Sequence, residues 1–297
     1  MTVANELTDS DRANIAALEA LCKQHETLQG SMFLSPEQNF DPKMPCFYML
    51  YHPSKKNELI AFLSIFAPFD DEAEIYAYTA PAYRKRGCFY SLLKRALTDL
   101  QSYGIKNILF VHEPNGIDCK FILEKMPTKY QYSEYILTIN SSDIPMFSMP
   151  DSLTLLPANS SDLKKLTILH AAAFKNPLNV SRRFLQNILS LPHIFAKKLI
   201  FKGKIIGCCF IIKQEHNLSL ISIAIHPSYQ KKGYANAMLH AVLYELSISY
   251  PGLPVSLEVN SENIAALSLY QKIGFQVSSQ FDYTYTDRNT IFDFLPQ

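Results

Sequence analysis

One order of events occurs twice in this chain, and that repetition limits what it can fold into more than any other feature. Residues 46–115 begin with two β-rich runs about a turn at HPSKKN and a third run ending in TAPAYRKRG; an amphipathic helix and a strand at NILFV follow. Residues 197–275 repeat the series. The meander KKLIFKGKIIGCCFIIKQEHNLSLISIAI turns at KGK and QEHN, and the helical period of YANAMLHAVLYELSISY follows it. The strand PVSLEV and the short helix SENIAALSLYQKIGF complete the copy, with Gly274 placed to end the helix. Gly87 and Gly233 hold the same place in the two series, 146 positions apart, in a chain with nine glycines among 297 residues. At roughly 150 residues per domain the length fits two units, so a duplicated unit accounts for it.

The seam is expected in the polar, proline-containing stretch NSSDIPMFSMPDS, which gives units 1–145 and 151–297. LTLLP reads as the first strand of the second unit, with SSDLKKLTILHAAAF and VSRRFLQNILSL as the helices after it. DSDRANIAALEALCKQHETL supplies the corresponding early helix of the first. The expected class is α/β. Hydrophobic residues at 48% and charged residues at 19% suit a folded core, not a disordered chain.

Lys and Arg number 28 against 27 Asp and Glu, so no overall field draws the chain to nucleic acid or to an anionic membrane, and neither is expected as a partner. The longest apolar runs, LIAFLSIFA and KIIGCCFII, fall well short of the ~18–20 residues of a membrane span, and MTVANELTDSDR lacks the pattern of a secretory signal. A cytoplasmic location and a monomer or homodimer are the expectations. Six cysteines at 22, 46, 88, 119, 208 and 209 form no CxxC pair and no cluster with histidine at ligand spacing, so no metal is expected.

The chemistry is expected at the glycine turn. Gln230-x-x-Gly233-x-Ala235 stands between a strand and a helix, where several backbone N–H groups point outward and the helix dipole adds partial positive charge; such a place binds phosphate. Gly233 permits a positive φ or a close ligand, Ala235 keeps the first turn low, and Lys231 and Lys232 add mobile charge beside it. With LEVNSENIAALSLYQKIGF following in order, the segment resembles the GNAT superfamily of acyl-CoA-dependent N-acetyltransferases, from LTLLPANSSDLKKL to QKIGF.

The resemblance implies two tandem GNAT-like domains, each a twisted, mostly antiparallel sheet flanked by helices, with acetyl-CoA as co-substrate and a small-molecule amine or peptide as acceptor. It implies that the pantetheine arm pairs with the strand backbone at Ile223, Ala224 and Ile225. The amides from Gln230 through Lys231, Lys232, Gly233 and Tyr234 to Ala235 would hold the diphosphate. Asn263 would bond the pantetheine region, and Tyr270, seven residues on and about 10.5 Å along the helix, would place its hydroxyl beside the sulfur as general acid. The strand LSLISIAI carries no carboxylate to serve as base; Glu258, acting through water, is the first candidate and His226 the second.

The two copies read as unequal. Arg84 and Gly87 fit the loop pattern, but Phe89 stands where Gly or Ala is usual, and Leu123 falls opposite Tyr270. A leucine donates no proton, so the first unit is expected to be degenerate and the second to perform transfer. A non-catalytic coenzyme A sensor or scaffold is the alternative from a different functional class.

Overall fold

In the computed structural model, residues 1–55 and 57–296 are described. The chain runs β1 (Thr2–Ala4), α1 (Asp9–Glu26), β2 (Phe47–Tyr51), β3 (Leu59–Phe66), β4 (Glu72–Thr79), α2 (Cys88–Ser102), β5 (Asn107–His112), α3 (Ile117–Leu123) and β6 (Lys129–Ile139). It continues with β7 (Leu153–Ala158), α4 (Leu163–Phe174), α5 (Leu178–Ser190), β8 (Ile194–Phe201), β9 (Lys204–Lys213), β10 (Leu218–Ile225), α6 (Tyr234–Ser249), β11 (Val255–Asn260), α7 (Ile264–Ile273), β12 (Gln276–Asp287) and α8 (Arg288–Phe294). The series β2-β3-β4-α2-β5-α3 and β8-β9-β10-α6-β11-α7 are the two copies read from the sequence. The class is mixed α/β, as expected, with mostly antiparallel strands and helices against the sheets.

Two compact units form, and their limits differ from the expected 1–145 and 151–297. One comprises Met1–Glu134 with Ser279–Gln297, the other Tyr135–Ser278. The end of the chain belongs to the first unit because Asp282–Asp287 of β12 pair antiparallel with Asn107–His112 of β5. Beyond them, Ile291 and Leu295 are buried in that unit's core, and Arg288 donates through N to the Lys106 carbonyl at 2.8 Å and through Nε to that of Ile105 at 3.0 Å. The break in composition at 140–152 marked a polar connection inside the second unit and not the boundary itself.

In the first unit the strands follow the order β1-β2-β3-β4-β5-β12. The continuous apolar run of β3 is explained by cover on both faces: every residue from Leu59 to Ile65 is buried. Ile15, Leu18 and Cys22 of α1 and Leu92, Leu93, Ala96, Leu97 and Leu100 of α2 join it in one core, where each fully buried leucine contributes roughly 1.5–3 kcal/mol. Helix α1 starts at a reciprocal cap: the Asp11 amide donates to Thr8 Oγ1 at 3.2 Å and the Thr8 amide to Asp11 Oδ2 at 3.1 Å.

The second unit orders its strands β11-β10-β9-β8-β7. Its β9 run, KIIGCCFIIK, is also buried on both sides. Ile206, Cys209 and Ile211 join the core of α6 and α7, while Cys208 and Phe210 face Leu166, Leu169, Leu185 and Ile188 of α4 and α5. A Cβ on Gly207 would lie 2.5 Å from Ile225 Cδ1 and 3.0 Å from the Ala224 carbonyl oxygen, so only glycine lets β10 approach β9 there.

Candidate active site

Strand β10 is parallel to β11 only from Leu218 to Leu220, opposite Val255 to Leu257; past that point the pairing ends while β10 continues to Ile225. Its antiparallel register with β9 shifts between Ile221 and Ala224, a bulge in which Ser222 takes φ 48°. Ile223 is half-buried, and Ala224 and Ile225 are buried. The strand edge named from the sequence therefore flanks an opening between β10 and β11.

The turn beyond it has two left-handed residues, Lys231 at φ 60° and Gly233 at φ 79°. A Cβ at Gly233 would meet nothing within 4 Å, so its torsion and not crowding demands glycine. Gln230 Nε2 donates to the Ile225 carbonyl at 3.0 Å and ties the turn to the strand end. Among the described residues, the amides of Lys231, Lys232, Gly233, Tyr234 and Ala235 have no acceptor; the next intrahelical bond runs from Ala237 to the Gly233 carbonyl at 3.0 Å. Five free donors at the start of the sixteen-residue α6 are what an anion needs. Lys231 and Lys232 are both exposed, and Lys232 donates to the Ser228 carbonyl at 3.3 Å.

Tyr270 belongs to the same hydrophobic cluster as Ile225 and Ala237, against which Ile223, Tyr234 and Ala235 pack. Its ring meets Phe275 edge-on at 6.1 Å, the residue is 7% exposed, and its hydroxyl makes no hydrogen bond among the described residues. Burial pushes the phenol above its ordinary range, so it stays protonated at neutral pH. Asn263 caps α7, its Oδ1 accepting from the Ala266 amide at 3.2 Å, and is exposed; its side-chain NH2 remains for another partner.

The two base candidates are placed differently. Glu258 is exposed and points to the face opposite Leu257 and Val259, which join the Tyr270 cluster, so the structure does not bring its carboxylate to that ring. His226 accepts from the Ser228 amide at Nδ1, 3.3 Å away, and caps the turn Pro227–Tyr229.

Sequence reasoning missed how closely the first unit keeps the same frame. Lys85 and Gly87 take φ 61° and 78°, Arg84 Nε donates to the Thr79 carbonyl at 3.0 Å, and the amides from Lys85 to Phe89 also have no acceptor among the described residues. The shared spacing of Pro81 and Tyr83 with Pro227 and Tyr229 was the available signal. Arg84 is no phosphate ligand: Nη1 meets Asp118 at 2.9 Å and Nη2 meets Glu26 at 3.1 Å. Where β4 and β5 part, after the pairing of Ile75 with Phe110, a cavity of about 330 Å³ opens.

The sequence profile of the acetyltransferase (GNAT) family matches residues 13–126 and again 164–275, one match in each unit. The chain belongs to the GNAT family. An N-alpha-acetyltransferase of Sulfurisphaera tokodaii is 31% identical to this GNAT chain over 77 residues, covering 26% of the chain and 44% of that relative, less than half of its length. A GCN5-related N-acetyltransferase from Sphaerobacter thermophilus superposes with a TM-score of 0.77 at 15% identity, covering 95% of both chains. A tandem GNAT protein from the clavulanic acid biosynthesis pathway gives 0.67 at 10% identity, covering 95% of this chain and 97% of that one. At such identities the two structures speak for the fold, and they match it along nearly the whole chain. Among the described residues no helix is long and apolar enough to cross a membrane.

Proposed function

We propose that the second unit transfers an acetyl group from acetyl-CoA to a primary amine by direct attack, with Tyr270 as general acid. The observation that carries this is the run of unpaired amides from Lys231 to Ala235 beside the open edge of β10. These donors suit a diphosphate, and the edge at Ile223 to Ile225 suits an extended amide-bearing arm. The neutral amine nitrogen attacks the thioester carbonyl carbon, the C–S bond breaks and the sulfur takes the Tyr270 proton; the nitrogen passes its own proton to water, and water returns one to the Tyr270 phenolate. The unengaged, protonated hydroxyl of Tyr270 supports the acid role. Glu258 is retained as the proton acceptor only through a water chain, since it lies on the opposite face of β11.

The sensor reading draws on that same misplacement of Glu258, because a binder needs no base. Free-thiol release from acetyl-CoA in the presence of a mixed panel of amines and peptides separates the two. Amine-dependent release that falls sharply in Tyr270→Phe supports transfer; coenzyme A binding with no thiol release from any acceptor overturns it.

A further inference from the structure

Between Asp162 and Glu215 the chain carries ten Lys and Arg and no Asp or Glu. The second unit as a whole holds thirteen Lys and Arg against seven Asp and Glu, and the first holds fifteen against twenty. A nearly neutral chain is therefore built from one basic and one acidic unit, and the net charge hides a local field that can steer a partner.

The carboxylate-free span opens with the hairpin of α4 and α5. Leu166 and Leu169 of α4 and Leu185 and Ile188 of α5 turn inward to the core, and His170 Nδ1 lies 3.0 Å from Ser181 Oγ between the helices. The outer stripes stay open. Lys164 and Ile168 stand one turn apart on α4, with Lys175 at its C-cap, and Leu178 and Arg182 stand one turn apart on α5. All five are exposed in the full chain, Ile168 at 51% and Leu178 at 58%. Among the described residues Lys164, Lys175 and Arg182 meet no carboxylate, and Asp162, just before α4, is taken by Lys198 at 2.6 Å.

Each exposed apolar side chain thus has a free cation one helical turn away. Insertion into a bilayer needs a continuous apolar face, and a row of phosphates gives Ile168 and Leu178 nothing to bury against. A polypeptide in which Asp or Glu alternates with apolar residues answers both kinds of group. We propose that the outer face of the α4–α5 hairpin docks such an acidic segment of a partner polypeptide. On the transfer reading, on which this consequence rests, that polypeptide carries the acceptor amine.

Fluorescence anisotropy of the full chain with a labelled peptide of Glu-Leu repeats tests it, beside the same peptide with Gln for Glu, an oligothymidylate and phosphatidylserine vesicles. The acidic peptide should bind tighter than its Gln counterpart by about tenfold or more, and that advantage should shrink as salt rises from about 50 to 300 mM. Lys164→Glu with Lys175→Glu and Arg182→Glu should abolish the advantage. Lys204→Glu with Lys213→Glu and Lys272→Glu removes as much charge elsewhere on the unit and should preserve most of it. Ile168→Ser with Leu178→Ser should weaken both peptides, and far-UV circular dichroism confirms that each variant folds. Equal affinity of wild type for the two peptides overturns the proposal, as does equal loss in the two charge-reversed variants or binding of the oligothymidylate or the vesicles alone. Thiol release from acetyl-CoA to a small amine should be unchanged in the hairpin variants. If no acceptor releases thiol while the acidic peptide still binds, the transfer reading fails and the docking surface stands.

Discussion

Arg84 reaches back to Thr79 with the same bond that Gln230 makes to Ile225: a side-chain nitrogen donates to the last carbonyl of the preceding strand, 3.0 Å away in both cases. The pairs are 146 positions apart, and in each the bond closes the loop over the same two left-handed residues. What differs is the remainder of the guanidinium. Arg84 also holds Glu26 and Asp118, and the Arg84 and Glu26 side chains are only 14% and 13% exposed. Removing one member of a mostly buried ion pair strands the others, so Arg84→Ala should cost about 2–4 kcal/mol, and Gln230→Ala about 1 kcal/mol. Chemical denaturation of the two variants should show that ordering, and an equal cost would mean the carboxylates draw nothing from Arg84.

Gly233 and Gly87 share φ near 79° and have open space where a Cβ would stand. A valine at either position should strain the backbone by about 1–3 kcal/mol and lower the thermal midpoint comparably. Only Gly233→Val should raise the KM for acetyl-CoA, by about tenfold or more, because several backbone donors move together. Gly87→Val should leave amine-dependent thiol release within about twofold of wild type. Steady-state kinetics on the pair checks the division of labour between units.

Tyr270→Phe deletes a hydroxyl that makes no hydrogen bond within the described protein, so stability should change by less than about 0.5 kcal/mol. If the hydroxyl protonates the leaving sulfur, kcat should fall by about 10²–10⁴ while the KM for acetyl-CoA stays near wild type. Burial raises the folded phenol above its unfolded value, so both states are neutral below pH ~10 and the folded state loses stability only above it. The alkaline limb of the kcat profile should therefore not begin near pH 10. A limb there that vanishes in Tyr270→Phe would show an exposed, ordinary phenol.

The repeat, the order of elements within each copy, the loop and the helix that carries Tyr270 were legible because each rests on local chemistry: apolar period and a left-handed glycine at the turn and at the helix end. The unit boundary was not. FDYTYTD alternates like any strand, and nothing local says that it pairs with β5, about 170 residues earlier in the chain. The face on which Glu258 stands is likewise set by the register of β11 against β10, which spacing along one strand does not reveal. Phe89 packs against Phe110 at 6.3 Å while the loop keeps its two left-handed residues, a local fit that the bulk of the ring in the sequence does not reveal.

His170 gives the second unit an acid-sensitive point. It is 4% exposed between α4 and α5, its Nδ1 is 3.0 Å from Ser181 Oγ, and the rings of Phe174 and Phe184 flank it at 4.5 and 5.3 Å. Burial holds its pKa down to about 4 from 6.5. The folded value lies below the unfolded one, so its neutral form favours folding above pH 6.5, and that contribution is lost as pH falls toward 4. The shift corresponds to on the order of 3 kcal/mol between those limits. His170→Gln keeps a polar partner for Ser181 but does not titrate, so it should flatten the loss of stability between pH 6.5 and 4 while changing little at pH 8. His112, whose basicity burial also lowers, adds a slope of the same sign that the variant leaves in place. Urea unfolding of wild type and variant at half-unit pH steps measures the difference, and parallel curves would show that His170 titrates in the folded protein as it does in the unfolded chain.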